Sequence, residues 1–126
     1  MLLIEEKTQI IIRCFYKVYN TLGYGFQEKV YENALAIELK KEGLKCFQQS
    51  PIEVYYDNFV VGTYFSDIVV DNEVIVELKA VEGDIIKQYE LQLQNYLKAT
   101  ELEVGLVLNF GKTPSFKRKV FTKHTN

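Results

Sequence analysis

The stretch Phe65-Ser66-Asp67-Ile68-Val69-Val70-Asp71-Asn72-Glu73-Val74-Ile75-Val76-Glu77-Leu78-Lys79 decides the fold. It reads as two strands rich in β-branched residues, joined by a tight turn at Asp71-Asn72. Asp67, Glu77 and Lys79 interrupt otherwise apolar sequence, and such groups are rarely fully buried unless paired or bound to metal. Side chains alternate faces along a strand, so Glu77 and Lys79 share one. Asp67 joins them if it lies opposite Glu77 in an antiparallel pair. That register sets Val70 opposite Val74 and leaves a three-residue loop, Asp71-Asn72-Glu73. A two-residue turn would put Asp67 opposite Val76 and send Glu77 to the other face. We therefore expect the three-residue loop. Two carboxylates and an ammonium on one face suit a divalent cation held by oxygen ligands. They also suit a structural salt bridge from Lys79 to Asp67 or Glu77.

Upstream, Phe59 to Val70 forms one long strand with Gly62 inside it, and Asp57-Asn58 marks a hairpin turn. Leu44–Phe47 and Ile52–Tyr56 read as one strand region broken near Ser50-Pro51, where proline indicates an edge or a bulge. Earlier still, apolar residues at Leu3, Ile4, Ile10, Ile11, Cys14, Phe15, Val18 and Leu22 predict an amphipathic helix over about 3–21, stopped by Gly23-Tyr24-Gly25. Cys14 lies on that stripe as a small apolar residue. A second helix is expected over about 26–42, with Val30, Ala34 and Ile37 on its apolar face, Tyr31 and Leu35 beside them, and Gly43 as its stop. Glu28, Tyr31 and Glu32 project together near its start, where the helix dipole alone favours acidic residues.

Downstream, Ala80 to Gly83 connect to a third helix over about 85–99, with Asp84 as its N-cap. Its core stripe is Ile85, Ile86, Tyr89, Leu93, Tyr96 and Leu97, while Gln88, Gln92 and Tyr96 share a side. Val104–Phe110 reads as a buried strand closed by Gly111, and Val120-Phe121 as a last edge strand. The order is helix, helix, three or four antiparallel strands, helix, strand: a mixed α/β layer structure.

The 126 residues suit a single domain, 1–126, of ordinary composition, 48% hydrophobic and 25% charged. No apolar run approaches the ~20 residues of a membrane span, and Met1-Leu2-Leu3-Ile4-Glu5-Glu6 lacks the features of a secretory signal. Cys14 and Cys46 have neither metal nor redox spacing, so a reduced, cytoplasmic compartment is expected. With His124 as the sole histidine, a histidine-based zinc centre and a Ser-His-Asp triad are disfavoured. Net charge is −2, but after Glu103 come Lys112, Lys117, Arg118, Lys119 and Lys123 with no acidic residue, leaving −7 on the preceding part. The basic C-terminal segment, 112–126, suits phosphate contact or a solvated tail.

Asp67 followed by Glu77-Leu78-Lys79 resembles the signature of the PD-(D/E)XK nuclease-like superfamily. Gly25-Phe26-Gln27-Glu28-Lys29-Val30-Tyr31 is similar to the pattern that names the GxxExxY protein family, a branch of it. Gln92-Leu93-Gln94-Asn95-Tyr96-Leu97 resembles the QxxxY motif on the helix after the catalytic hairpin, and Val104–Gly111 looks like the closing strand. The resemblance spans about residues 8–111. It departs at Tyr19, where the family often has histidine, at Gly23-Tyr24-Gly25, which lacks the turn's proline, and at Ser66 in place of the nominal proline.

The resemblance implies a restriction-endonuclease-like core, a mixed sheet flanked by helices, and a nuclease acting on DNA or RNA with Mg²⁺ or Mn²⁺. It implies Asp67 and Glu77 as metal ligands, with Glu28 approaching directly or through water and the Leu78 carbonyl as a further ligand. Lys79 would act on the attacking water and on charge at phosphorus, and Gln92 with Tyr96 would position Lys79 or the phosphate. A homodimer would suit symmetric cutting of two strands. The rival expectation is a non-catalytic nucleic-acid or protein binding module that keeps the fold, because few basic residues lie in sequence near the site.

Overall fold

The computed structural model describes residues 2–122. Lys123 and His124 of the basic segment lie outside the described residues. The chain forms α1 (Ile4–Leu22), α2 (Glu28–Lys41), β1 (Cys46–Tyr56), β2 (Phe59–Val70), β3 (Val74–Lys79), α3 (Lys87–Ala99), β4 (Val104–Asn109) and β5 (Ser115–Val120). The strands make one sheet in the order β1-β2-β3-β4-β5. All neighbours are antiparallel except β3 and β4, which are parallel and joined through α3. Among the described residues, no helix is long and apolar enough to cross a membrane.

The period-2 pattern of the central strands separates two apolar layers. Ile68, Val70, Val74, Val76, Leu78, Leu106 and Leu108 meet Ile11, Phe15 and Val18 of α1 and Tyr31, Leu35 and Leu39 of α2. Val69, Ile75 and Val107 meet Leu93, Tyr96 and Leu97 of α3 on the opposite face. Phe110 locks the first layer: it stacks on Tyr31 at 4.4 Å between centroids and meets Phe15 edge-on at 4.7 Å. Each such pair adds roughly 0.5–1.5 kcal/mol beyond burial.

The β2–β3 turn has the expected three-residue loop. Val70 pairs with Val74, Val69 with Ile75 and Ile68 with Val76. Asp71 and Asn72 take positive φ, 52° and 54°, and the Glu73 N–H donates to the Val70 carbonyl at 2.9 Å. Asp71 accepts from the Lys45 N–H at 2.7 Å and pairs with Lys7 of α1 at 3.0 Å, and Lys7 also bonds Glu73. These contacts fix the loop, and with it the register that the site requires.

Five expectations need correction. The upstream strand is continuous through Ser50-Pro51, because an edge strand tolerates proline. Its ladder shifts register between Val54 and Tyr55, and Gln49 takes a left-handed φ of +51°. On α2, Ile37 is 56% exposed and Val30 39%, while Tyr31, Glu32, Leu35, Ala36 and Leu39 are buried. The buried face is turned because Tyr31 seats under Phe110 and Glu32 meets the sheet edge. Asp84 does not cap α3: the N-cap is Ile86, in extended backbone without a side-chain cap. Ile85 is spent on the lower layer before the helix begins, and Ile86, expected on the core stripe, is 48% exposed. Finally, the last strand is longer than Val120-Phe121, running Ser115–Val120 antiparallel to β4.

Candidate active site

Beyond Ile68–Val76 the β2–β3 ladder is continued by side chains. The Leu78 N–H donates to Asp67 Oδ2 at 2.8 Å, and the Asp67 N–H donates to Glu77 Oε2 at 2.9 Å. Each carboxylate thus takes an amide of the other strand. The Ser66 hydroxyl also donates to Glu77 Oε2, at 3.0 Å. This accounts for the residue before Asp67: a buried hydroxyl supplies a donor that proline lacks. Lys79 is the end residue of β3, with its ammonium 4.6 Å from the centre of the Tyr89 ring. The parallel partner of Lys79 is Asn109. The Asn109 side-chain amide takes the Val81 N–H and reaches the Val81 and Gly83 carbonyls at 3.0–3.2 Å. That clamp fixes the chain where it leaves Lys79.

The GxxExxY-like segment has a local cause. Tyr31 is fully buried, donates its hydroxyl proton to the Gly23 carbonyl at 2.7 Å and accepts from the Phe26 N–H at 3.3 Å. It ties down the loop before α2 and so fixes where Glu28, the first residue of α2, projects. Glu28 feels the charges of Lys79, Asp67 and Glu32, which places it beside the β2–β3 pair. On α3, Gln92 and Tyr96 lie one turn apart and line a groove against the β1–β2 hairpin, and the Tyr96 phenol is pushed up by burial and by the charges of Glu77 and Asp67. The structure thus brings Asp67, Glu77 and Lys79 together on the central β2–β3 pair, with Glu28 of α2 lining a shallow pocket beside Ala80 and Gln92 and Tyr96 approaching from α3. Gln88, one turn before Gln92 near the start of α3, lines the same groove as Gln92 and Tyr96.

Two further polar residues belong to the cluster. Glu32 is 3% exposed and accepts from Lys29 at 3.0 Å, Gln48 at 2.6 Å and Gln49 at 2.9 Å. The same Gln49 amide reaches Asp67 Oδ1 at 3.4 Å. The left-handed backbone at Gln49 aims this side chain between the two carboxylates. A positive φ in a non-glycine residue costs about 1–3 kcal/mol and clusters at functional sites. The sequence carried one signal of it, the polar run Gln48-Gln49-Ser50 inside a strand.

Electrostatics make the cluster receptive to positive charge. Burial, reinforced by Asp67, pushes Glu77 up to about 8. Burial also raises Asp67 and Glu28 above the ordinary carboxylate range. Lys79 offsets both Asp67 and Glu77 in part, yet among the described residues neither carboxylate forms an ion pair. The expected structural salt bridge from Lys79 is not formed. Hard oxygen donors that are at least partly withdrawn from water at Asp67 and Glu77, and incompletely neutralised, fit a Mg²⁺-type cation, which usually takes one or two carboxylates and keeps several waters. Among the described residues no three His, Cys, Asp or Glu side chains converge as a ready-made cage.

A five-stranded mixed sheet between helical layers, with this hairpin at its centre, is the scaffold of a large nuclease-like class. The chain belongs to the PD-(D/E)XK nuclease superfamily, whose family model matches residues 5–120. The fold is accordingly restriction-endonuclease-like. The solved structure of SSO0001 is similar, with a TM-score of 0.57 and 16% identity over 73% of this chain. The match spans 48% of that protein, and at this identity it speaks for the fold alone. No curated protein matches the chain.

Proposed function

We propose that this protein is a Mg²⁺- or Mn²⁺-dependent nuclease that hydrolyses phosphodiester bonds of DNA or RNA, in a reduced cytoplasmic setting where Cys14 and Cys46 remain free thiols. The observation that carries the reading is the reciprocal bonding of Asp67 and Glu77, which fixes one half-buried and one buried carboxylate, both under-neutralised, beside Lys79. Asp67 and Glu77 would hold the cation with the Leu78 carbonyl, and Glu28 would contribute from α2. A bound divalent cation lowers the pKa of water and offsets charge on phosphoryl oxygen. Lys79, steadied against the Tyr89 ring, would stabilise the charge that develops on such an anion. Gln92, one turn before Tyr96 on α3, would orient the scissile phosphate. Glu32 and Gln49 hold Asp67 from behind. The Gly25, Glu28 and Tyr31 pattern further supports placing the chain in the GxxExxY branch.

A second reading, a binding module without catalysis, is favoured by Glu77 Oε2, which already accepts from both Ser66 and the Asp67 amide. Incubating wild type and Lys79→Ala with labelled single- and double-stranded DNA and RNA in Mn²⁺ separates the two. The nuclease reading predicts cleavage that EDTA stops and that falls by at least a hundredfold in the variant. Unchanged cleavage would remove Lys79 from the site, and binding without cleavage of any substrate would favour the module.

A further inference from the structure

A groove of about 760 Å³ runs between the β1–β2 hairpin and the outer side of α3. It is of the size that encloses small organic groups, typically ~300–1,000 Å³. Tyr55, Tyr64 and Tyr96 supply aromatic surface, Gln88 and Asn95 supply side-chain amides, and Lys98 is the one charged lining residue. The Tyr64 and Tyr96 rings lie 5.6 Å apart, tilted by 43°. Tyr64 and Tyr55 remain 51% and 60% exposed, so their rings are available to a ligand. The hairpin reaches the groove because β1 and β2 continue past β3: β2 pairs with β3 only at Ile68–Val70, whereas its pairing with β1 extends to Phe59. Ile52, which pairs with Tyr64, anchors the arm against Leu93 and Tyr96.

Resting on the nuclease reading above, we propose that this groove binds the unpaired bases of a single-stranded nucleic acid next to the scissile phosphate. Bases present flat apolar faces and hydrogen-bonding edges, and aromatic rings beside amides match both. Base-on-aromatic stacking is the usual means of holding single strands, and it tolerates any sequence. The charge is complementary: the lining has a lysine and no carboxylate, in a chain whose net charge is −2. The groove adjoins the β2–β3 pair that holds Asp67 and Glu77, because Tyr96, which lines it, also packs with Val69 and Ile75 of those strands. A duplex keeps its bases stacked and paired, so its bases cannot enter. The lining addresses bases rather than sugar, so DNA and RNA single strands should bind alike.

The test is fluorescence anisotropy in EDTA, where no cleavage occurs. Probes are labelled 12-nucleotide oligothymidylate, oligouridylate, an abasic oligodeoxynucleotide of equal length, and a duplex. The expected result is that the two single strands bind within about threefold of each other and at least tenfold tighter than the abasic strand or the duplex. Tyr64→Ala should weaken single-strand binding about tenfold, within the range for losing one stacking ring. Tyr64→Phe should retain it, as should Tyr56→Ala, at the tip of the hairpin and outside the groove lining. Equal affinity for the abasic strand or the duplex would overturn the proposal, as would a Tyr64→Ala protein that binds like wild type. The two readings fail separately: base-dependent binding without cleavage of any substrate would sustain the groove and sink the nuclease, whereas cleavage with no preference for unpaired bases would do the reverse.

Discussion

Glu77→Gln should stabilise the metal-free protein, and increasingly so as pH rises. Glu77 is 5% exposed, and its carboxyl is raised from an ordinary 4.5 to about 8 by burial and by Asp67. In that window the folded state keeps a proton that the unfolded chain has lost. Stability therefore falls as pH rises from about 4.5 to about 8 and is level above it. At ~1.4 kcal/mol for each pH unit, the full cost is on the order of 4–5 kcal/mol. Glutamine has no charge to bury, and its carbonyl oxygen can still accept from Ser66 and the Asp67 amide. Asp67 and Glu28, also raised, act in the same direction in both proteins. Asp71, Glu38 and Glu90 are held below the ordinary range, and their contribution is lost only at more acidic pH. The assay is equilibrium urea unfolding in EDTA at pH 5 and pH 8. The two proteins should differ little at pH 5, and the variant should be more stable by several kcal/mol at pH 8. Parallel behaviour at both values would refute the account of Glu77 as a charge held at a cost.

Three other outcomes follow from the same geometry. Gln49→Gly relieves the left-handed backbone and removes only the amide between Glu32 and Asp67, so metal affinity measured by calorimetry should drop about 10-fold or more while folding is retained. Gly111→Ala would put a methyl 2.0 Å from the Val81 carbonyl oxygen; it should cost about 1–3 kcal/mol or more in urea unfolding by displacing the segment that follows Lys79. Leu35→Ala, at a fully buried position between α1, α2 and the sheet, should cost roughly 2–5 kcal/mol in the same measurement.

The sequence was most legible where one physical rule dominated. Alternation along Val69–Val76 and the requirement that Asp67 and Glu77 share a face fixed the loop length, and the Val70–Val74 pair follows it. The stripe of α1 was legible for the same reason: Ile11, Cys14, Phe15 and Val18 are all buried. The face of α2 was not, because Val30 and Ile37 are as apolar as the residues that bury, and only the position of Phe110 makes Tyr31 the inward one. The start of α3 was misread because Asp84 is a good cap in isolation, whereas Ile85 must stay extended to reach the lower layer. Within the site, the carboxylates and Lys79 could be read from spacing and resemblance. Glu32 bonding across to Gln48 and Gln49 could not, since that contact depends on a positive φ in mid-strand.

The central claim is that Asp67 and Glu77 form a divalent-cation site. Isothermal titration of Mn²⁺ into wild type and Asp67→Ala tests it most directly. The account predicts saturable binding in wild type that disappears in the variant. No binding to wild type, or equal binding to both proteins, would contradict it.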